Sequence, residues 1–483
     1  MKKYQRLAQQ IVEQIELGVW RPGEKLPSLR EQVASSGLSF MTVGHAYQLL
    51  ESQGRVIARP QSGYFVAPAP GLTRAPAPQV MRDEAVDINT YIFDVLQASC
   101  DASVLPFGSA FPDPKLFPMP QLNRSLAKVS KSAGAMSVIE NLPPGNSQLR
   151  HAIARRYARQ GINISPDEIV ITAGALEALN LSLQAVTEPG DWVIIESPCF
   201  YGALQALERL KLKALSVPTD VKAGIDLDAL EQALTEYPVK ACWLMTNSQN
   251  PLGFTLSPEK KARLVELLTA HNVTLIEDDV YSELYYGREQ PLPAKAWDKQ
   301  EMTLHCSSFS KCLVAGFRVG WVAAGRHARR IQQLQLMSTL STSSPLQLAL
   351  VDYLSTHHYD AHLRRLRRQL AERKHLAWQA LLRHLPPEVK IYRNESGYFL
   401  WLELPNGLDA GVLSQHALAH HISIAPGKMF STSDNWISFF RFNCAWAWGE
   451  KEERAAMRLG ELIRQMMQQP FTAALMAIHR KCE

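Results

Sequence analysis

Apolar residues recur at helical spacing from the start of the chain, where Tyr4, Leu7, Ile11 and Ile15 form one stripe and predict an amphipathic helix that Gly18 ends. After the turn Arg21-Pro22-Gly23-Glu24, the run Ser28-Leu29-Arg30-Glu31 has the form of a capping box, in which the Ser28 hydroxyl and the Glu31 carboxylate each take a backbone amide. A short second helix is expected to stop at Gly37. Ser39 then caps a third helix, with Val43, Tyr47 and Leu50 as its buried stripe and Thr42, His45 and Gln48 pointing elsewhere. Phe40 is expected in the core, and Gly54 closes the helix. Arg55 to Arg59 and Tyr64 to Val66, joined through Pro60-Gln61-Ser62-Gly63, read as two short strands. Three short helices and a hairpin over residues 1–67 make a winged helix-turn-helix.

The pattern then changes. Pro68, Pro70, Pro76 and Pro78 mark residues 68–105 as a semi-extended spacer and lead-in, with a helix expected through Phe93 to Leu96. From 106 to 470 strand-like runs alternate with amphipathic helical ones: 168–172, 192–195, 239–245, 273–276 and 302–306, separated by stretches such as 176–186 and 258–271. Near-continuous apolar strands between helices imply a mostly parallel sheet covered on both faces, whose ligands sit at the carboxyl ends of the strands. Residues 471–483 form a tail without a readable motif.

Composition agrees with this division. A chain of 483 residues exceeds the roughly 250–300 residues at which single cores stop growing. Its net charge is only +5, yet residues 1–67 carry eight Lys/Arg against five Glu, an asymmetry that favours double-stranded DNA over a small helical interaction module. No apolar run reaches the ~18 residues of a membrane span, and the first residues lack the apolar core of a signal peptide, so a cytoplasmic protein is expected. The seven cysteines are scattered and read as free buried thiols. Neither they nor the pairs His357-His358 and His420-His421 have a metal-binding framework, so no metal is expected.

The chemistry gathers at the predicted strand ends. Ala173-Gly174-Ala175-Leu176 opens a helix with small residues, which suits a phosphate or simply close helix–sheet packing. Phe200 follows a strand, either stacking on a planar ligand or packing in the core. Asn250-Pro251-Leu252-Gly253 is a rigid turn presenting an amide. Glu277-Asp278-Asp279 sets three carboxylates beside an apolar strand, where one needs a cationic partner. Ser307 to Trp321 places Lys311 on a small, hydroxyl-rich loop with Arg318 seven residues on. Arg441 is a lone cation in an apolar strand, bound to an anionic ligand or in a structural ion pair. The basic run Arg364-Arg365-Leu366-Arg367-Arg368 is expected to be a solvated helix face.

Two resemblances join these readings. Residues 21–30 and 62–66 resemble the GntR family of bacterial regulators, which implies DNA contacts from Arg30, Ser39, Thr42 and His45, and a wing tip at Arg59, Ser62 and Gly63. Phe40-Met41 departs from the family's Arg-Thr at that place. The ordered set Gly174, Phe200, Asn250-Pro251-x-Gly253, Asp278-x-x-Tyr281 and Ser308-x-Ser310-Lys311 with Arg318 resembles the fold-type I aminotransferases that carry pyridoxal 5'-phosphate. This implies an α/β domain with a smaller α+β C-terminal subdomain. By resemblance Lys311 forms the Schiff base, Asp278 meets the pyridine nitrogen, and Asn250 and Tyr281 hydrogen-bond the phenolic oxygen. Phe200 stacks, while Gly174, Ala175, Leu176, Ser308, Ser310 and Arg318 hold the phosphate, and Arg441 takes the ligand carboxylate. Ala315 replaces the family's usual proline, Leu176 a polar residue of some members, and Glu140 a tyrosine that reaches the neighbouring subunit. The whole chain resembles the MocR-type regulators of the GntR family. That implies a homodimer in which an amine or amino-acid effector reacts at Lys311 and modulates DNA binding; the alternative is an active aminotransferase with a secondary head.

Overall fold

The computed structural model describes residues 3–16, 20, 23–59, 62–67, 92–93, 96–97, 101, 103–132 and 141–468. Gly18, Pro60, Gln61, Glu140, most of the proline-rich spacer with Asp94 and Val95, and the tail lie outside them. The chain forms two compact units, Met1–Ala77 and Pro78–Glu483.

In the first unit, α1 (Lys3–Glu16), α2 (Leu29–Ser36) and α3 (Phe40–Ser52) precede an antiparallel hairpin of β1 (Val56–Arg59) and β2 (Gly63–Val66). Leu7, Ile11, Val43, Tyr47, Leu50, Val56 and Val66 make one small core. Ser28 and Glu31 form the reciprocal capping box of α2, Gly37 ends that helix at φ 65, and Ser39 accepts the Thr42 amide to cap α3. Phe40 is 56% exposed, not buried. Leu38, one residue before the cap, packs on the core, which is too small to cover the first turn of α3 as well.

The second unit is built on an eight-stranded sheet. Its strands are β3 (Ile169–Thr172), β4 (Trp192–Ser197), β5 (Lys213–Asp220), β6 (Gly224–Ile225), β7 (Val239–Leu244), β8 (Thr274–Asp278), β9 (Thr303–Ser308) and β10 (Gly320–Ala323), in spatial order β3-β10-β9-β8-β7-β4-β5-β6. Pairings among β9, β8, β7, β4 and β5 are parallel, whereas β10 runs antiparallel to both its neighbours. Burial along both faces of β3 explains why it reads as a near-unbroken apolar run, whereas β8 and β9 are equally buried but carry Glu277, Asp278 and His305 among their apolar residues. By contrast, β5 alternates half-buried and buried positions between exposed ends and β10 begins on a glycine, so neither stands out in the apolar pattern.

Among the helices are α4 (Ser147–Arg159), α5 (Ala175–Val186), α6 (Pro258–Ala270) and the long α7 (Tyr359–His384). A smaller sheet follows, of β11 (Lys390–Tyr392), β12 (Phe399–Glu403), β13 (Ala425–Pro426) and β14 (Phe439–Asn443), in the order β11-β12-β14-β13. Cys199, Cys242, Cys306, Cys312 and Cys444 are free and buried. No described helix is long and apolar enough to cross a membrane.

Candidate functional site

Strand register brings the first group of predicted residues together. Thr172 at the end of β3 and Ser308 at the end of β9 both pair with Gly320, so the two strand ends flank the start of β10. Packing there is tight enough that a Cβ on Gly320 would lie 2.5 Å from the Gly174 carbonyl carbon. Gly174 stands at the N-cap of α5 with φ 86, so the amides of Ala175 and Leu176 open the helix. The Arg318 guanidinium lies over Gly174, within 2.6 Å of where a Cβ would be, and Arg318 itself holds φ 50, a conformation costly for a side chain. Ser308 Oγ accepts the Ser310 amide at 3.3 Å, and the buried Ser310 Oγ has no partner among the described residues. Open amides, a guanidinium and a free hydroxyl form a cradle for an anion.

Lys311 extends from the same loop. Its Nζ donates to the Ala110 carbonyl at 3.0 Å and lies 4.0 Å from the centre of the Phe111 ring. Burial, helped by the cations Arg441 and Arg318, lowers its pKa to about 7 against the pull of Asp278. With a pKa of about 7, a substantial share of the Lys311 amine is neutral near pH 7, and the neutral amine is the nucleophile.

The three carboxylates after the β8 apolar run have different partners. Glu277 accepts from Thr246 and from the Ala294 and Lys295 amides. Asp279 meets His305 Nε2 at 2.9 Å and Asn247 Nδ2 at 3.1 Å. Asp278 is 2% exposed, and its Oδ1 has no partner among the described residues. Burial and then neighbouring Asp279 raise the Asp278 pKa to about 7, opposed by Lys311. A buried carboxylate so placed calls for a ligand that donates a proton or carries a positive charge.

Arg441, at 0% exposure, donates to Asn250 Oδ1 and to the Gly108 carbonyl, each at 2.7 Å, between the rings of Phe399 (4.4 Å) and Phe430 (5.1 Å). Its Nε remains without a partner among the described residues. No carboxylate pairs with it among the described residues. Tyr281 is buried with its ring 5.9 Å from Lys311 Nζ, and burial pushes its hydroxyl pKa up. The Phe200 ring packs back on Gly202, where a Cβ would meet it at 2.4 Å, and against Tyr201.

Residues 115–459 match the aminotransferase class I and II family, and residues 3–66 match the bacterial regulatory proteins of the gntR family. The uncharacterized HTH-type transcriptional regulator YdcR of Escherichia coli K12 is 78% identical over 468 residues, covering 97% of this chain and all of the relative. The chain belongs to the MocR-type regulators of the GntR family. Among solved structures, the multiple substrate aminotransferase of Thermococcus profundus aligns with TM-score 0.72 and 27% identity over 80% of this chain and 97% of that one. LysN, the alpha-aminoadipate aminotransferase of Thermus thermophilus complexed with N-(5'-phosphopyridoxyl)-L-leucine, aligns with TM-score 0.71 and 28% identity over 78% and 95%.

The cofactor of the regulator is pyridoxal 5'-phosphate. The residues present fit it: an anion cradle, a buried amine of lowered pKa and a carboxylate with one oxygen unpartnered among the described residues lie at neighbouring strand ends.

Several contributors escape the motif reading. The segment Gly108-Ser109-Ala110-Phe111 supplies the carbonyls that position Arg441 and Lys311, and it is held in turn by Tyr398 (hydroxyl to the Ala110 carbonyl, 2.9 Å) and by Asn443 (to Ser109 and Phe111, each 2.8 Å). Its partners are about 200 to 330 positions away, so no local signal marks it. Behind Asp279, His305 Nδ1 meets the Tyr157 hydroxyl at 2.6 Å, which accepts from Trp321 Nε1 at 2.9 Å. Here a signal exists: three adjacent carboxylates require a cationic partner, and the bond to Asp279 raises the His305 pKa against the effect of burial.

In the head of the regulator, Arg30, Ser39 and His45 are exposed and Thr42 is half-buried, its hydroxyl 2.8 Å from that of Ser39. Arg59 stacks over Phe65 at 4.5 Å, the Ser62 amide donates to the Arg59 carbonyl, and Gly63 takes φ 103, which favours glycine at the hairpin turn. Met41 is 70% exposed beside Phe40. Two apolar side chains on the first turn of α3 suit thymine methyl groups better than phosphates. In DNA-binding titrations F40A/M41A is expected to lose about tenfold in affinity for its specific duplex with an unchanged salt slope, while Arg59→Ala lowers the slope by about 0.9. The opposite assignment of the two effects would reverse these roles.

Proposed function

We propose that this protein is a pyridoxal-phosphate-dependent transcriptional regulator in which an amine or amino acid reacting at Lys311 changes DNA binding. The reading assigns residues 1–67 to the DNA-binding head, 68–105 to the spacer and 106–470 to the effector body, acting as a cytoplasmic homodimer whose heads take paired half-sites. One observation carries it: a head matching a regulator family over residues 3–66 shares a chain with a buried, pKa-lowered Lys311 and an Asp278 oxygen that has no partner among the described residues.

When bound, the cofactor supplies an aldehyde that condenses with amines and a pyridine ring that accepts electrons. Lys311 would supply the amine that holds it, and Asp278 would hold a proton at the pyridine nitrogen. Asn250 and Tyr281 would hydrogen-bond the phenolic oxygen, and Phe200 would supply an aromatic face for the ring. Ser308, Ser310, Arg318 and the amides of Ala175 and Leu176 would hold the phosphate. Arg441, already fixed by Asn250 and Gly108, offers its Nε edge to an effector carboxylate. An effector that binds two arrangements of the body unequally shifts their populations, and with them the placement of the heads.

The test is to follow the visible absorbance of the purified holoprotein with a panel of amines and amino acids, with and without an oxo-acid acceptor, while measuring DNA affinity. Ligand-dependent DNA affinity is the expected result. Sustained turnover with no effect on DNA binding would establish an aminotransferase with a secondary head.

Lys311 also gives a pH prediction for the cofactor-free protein. Because its pKa falls from 10.5 to about 7 on folding, the unfolded chain binds more protons between those values. Its contribution to stability is lowest below about pH 7 and is regained as pH rises toward 10.5. The unfolding temperature of the wild-type body should therefore gain on that of Lys311→Met from pH 7 to 10. Parallel curves would show an unperturbed lysine.

A further inference from the structure

A second basic feature lies away from the cofactor cradle. The last turns of α4 and the start of α7 enclose a pocket of about 550 Å³ whose walls include Arg155, Arg156, Arg159, Arg364, His358 and Asp360. Asp360 offsets part of this charge: its two oxygens accept from Arg156 Nη1 at 3.0 Å and Arg159 Nη1 at 3.1 Å. Arg156 also pairs with Glu283 and lies over the Tyr359 ring at 4.6 Å. Arg155 and Arg364 make no side-chain hydrogen bond to any described residue, and both are exposed at the pocket. The 26-residue helix α7 starts here, so its N-terminal dipole adds to the positive field.

Two carboxylates against four guanidinium groups leave a surplus of about two positive charges, and a helix terminus facing the same space. We infer that this pocket binds a phosphate group. A phosphate monoester carries about −1.5 to −2 charges at pH 7 and three strong acceptor oxygens, matching the surplus and the planar donors of arginines converging from two helices. The concave shape accommodates a small phosphorylated molecule, and the same chemistry accepts a DNA backbone phosphate.

The pocket wall is tied to the cofactor loop. Glu283, the partner of Arg156, accepts the Tyr359 hydroxyl at 2.5 Å; that hydroxyl lies 3.1 Å from Cys312 Sγ, and His362 Nε2 meets the Cys312 carbonyl at 2.7 Å. Cys312 directly follows Lys311. A ligand that draws Arg156 or Asp360 out of place therefore acts on the chain beside the Schiff-base lysine.

The experiment uses the full chain with pyridoxal phosphate bound, so that the Arg318 cradle is filled, in phosphate-free buffer. Inorganic phosphate is titrated calorimetrically into wild type and R155A/R364A, and the duplex affinity of both is measured in parallel. Saturable phosphate binding that weakens at least about tenfold in the double variant is the expected result, since two charge-assisted contacts are lost. The variant should keep the wild-type visible absorbance and unfolding temperature, because both arginines are exposed and neither holds another described residue by a side-chain hydrogen bond. If phosphate gives no heat but the variant loses tenfold in duplex affinity with a shallower salt slope, the bound group comes from the DNA backbone. Phosphate binding equal in both proteins, or absent in both with unchanged duplex affinity, overturns the inference.

Discussion

Lys311→Ala protein incubated with pyridoxal phosphate is expected to show no visible absorbance beyond that of free cofactor, and no spectral response to any amine. Lys311 follows Ser308 and Ser310 on their loop, and its Nζ is directed to the Ala110 carbonyl. Its lowered pKa has burial as the leading cause, with the two nearby arginines adding to it. Truncation removes a charge that the interior disfavours, so the fold should survive, which circular dichroism and a retained cooperative unfolding transition of the body will check. DNA binding should persist but no longer respond to the effector. A retained visible band would mean that another amine holds the cofactor and would remove the basis of the effector reading.

Arg441→Lys is expected to separate amino acids from amines. The arginine uses two nitrogens to hold Asn250 Oδ1 and the Gly108 carbonyl, and keeps Nε unpartnered among the described residues. A lysine preserves the charge but is a point donor without the planar fork, so it cannot hold both protein acceptors and a carboxylate in one geometry. Loss of a charge-assisted pair, worth about 1.5–3 kcal/mol, corresponds to roughly a ten- to hundredfold weaker spectral titration by amino acids. Amines lacking a carboxylate should change by less than about threefold. An equal loss for both classes would make Arg441 a structural residue, and no loss for either would place the carboxylate elsewhere.

Local chemistry explains how far the chain is legible in advance. Capping by Ser28 and Ser39 needs only neighbours within three residues, and these caps appear as expected. Buried strand positions favour apolar side chains, so the Ile169–Ile171, Val193–Ile195 and Ala241–Leu244 stretches of β3, β4 and β7 stand out as runs, whereas β8 and β9 bury Glu277, Asp278 and His305 within theirs. Phe40 falls outside the expected core because helical spacing identifies a stripe but not where the core beneath it stops. Likewise Arg364 and Arg365 are exposed as expected of a solvated face, but Arg367 stacks on Tyr285 at 4.2 Å and donates to the Glu283 carbonyl.

Taken alone, the amino-acid order specifies a basic winged head, a parallel α/β body, and the residue types at each strand end: a lysine among serines, a carboxylate triplet, an asparagine turn and a lone arginine. These follow from short-range rules of periodicity, capping and the cost of burying charge. How those groups are shared out is settled by the folded arrangement instead. It pairs Asp279 with His305, leaves one oxygen of Asp278 without a partner among the described residues, joins Arg441 to Asn250 across 191 positions, and sets the α4 arginines against the start of α7. Each of these outcomes depends on which distant strand or helix end arrives alongside, and spacing along the chain carries no record of that.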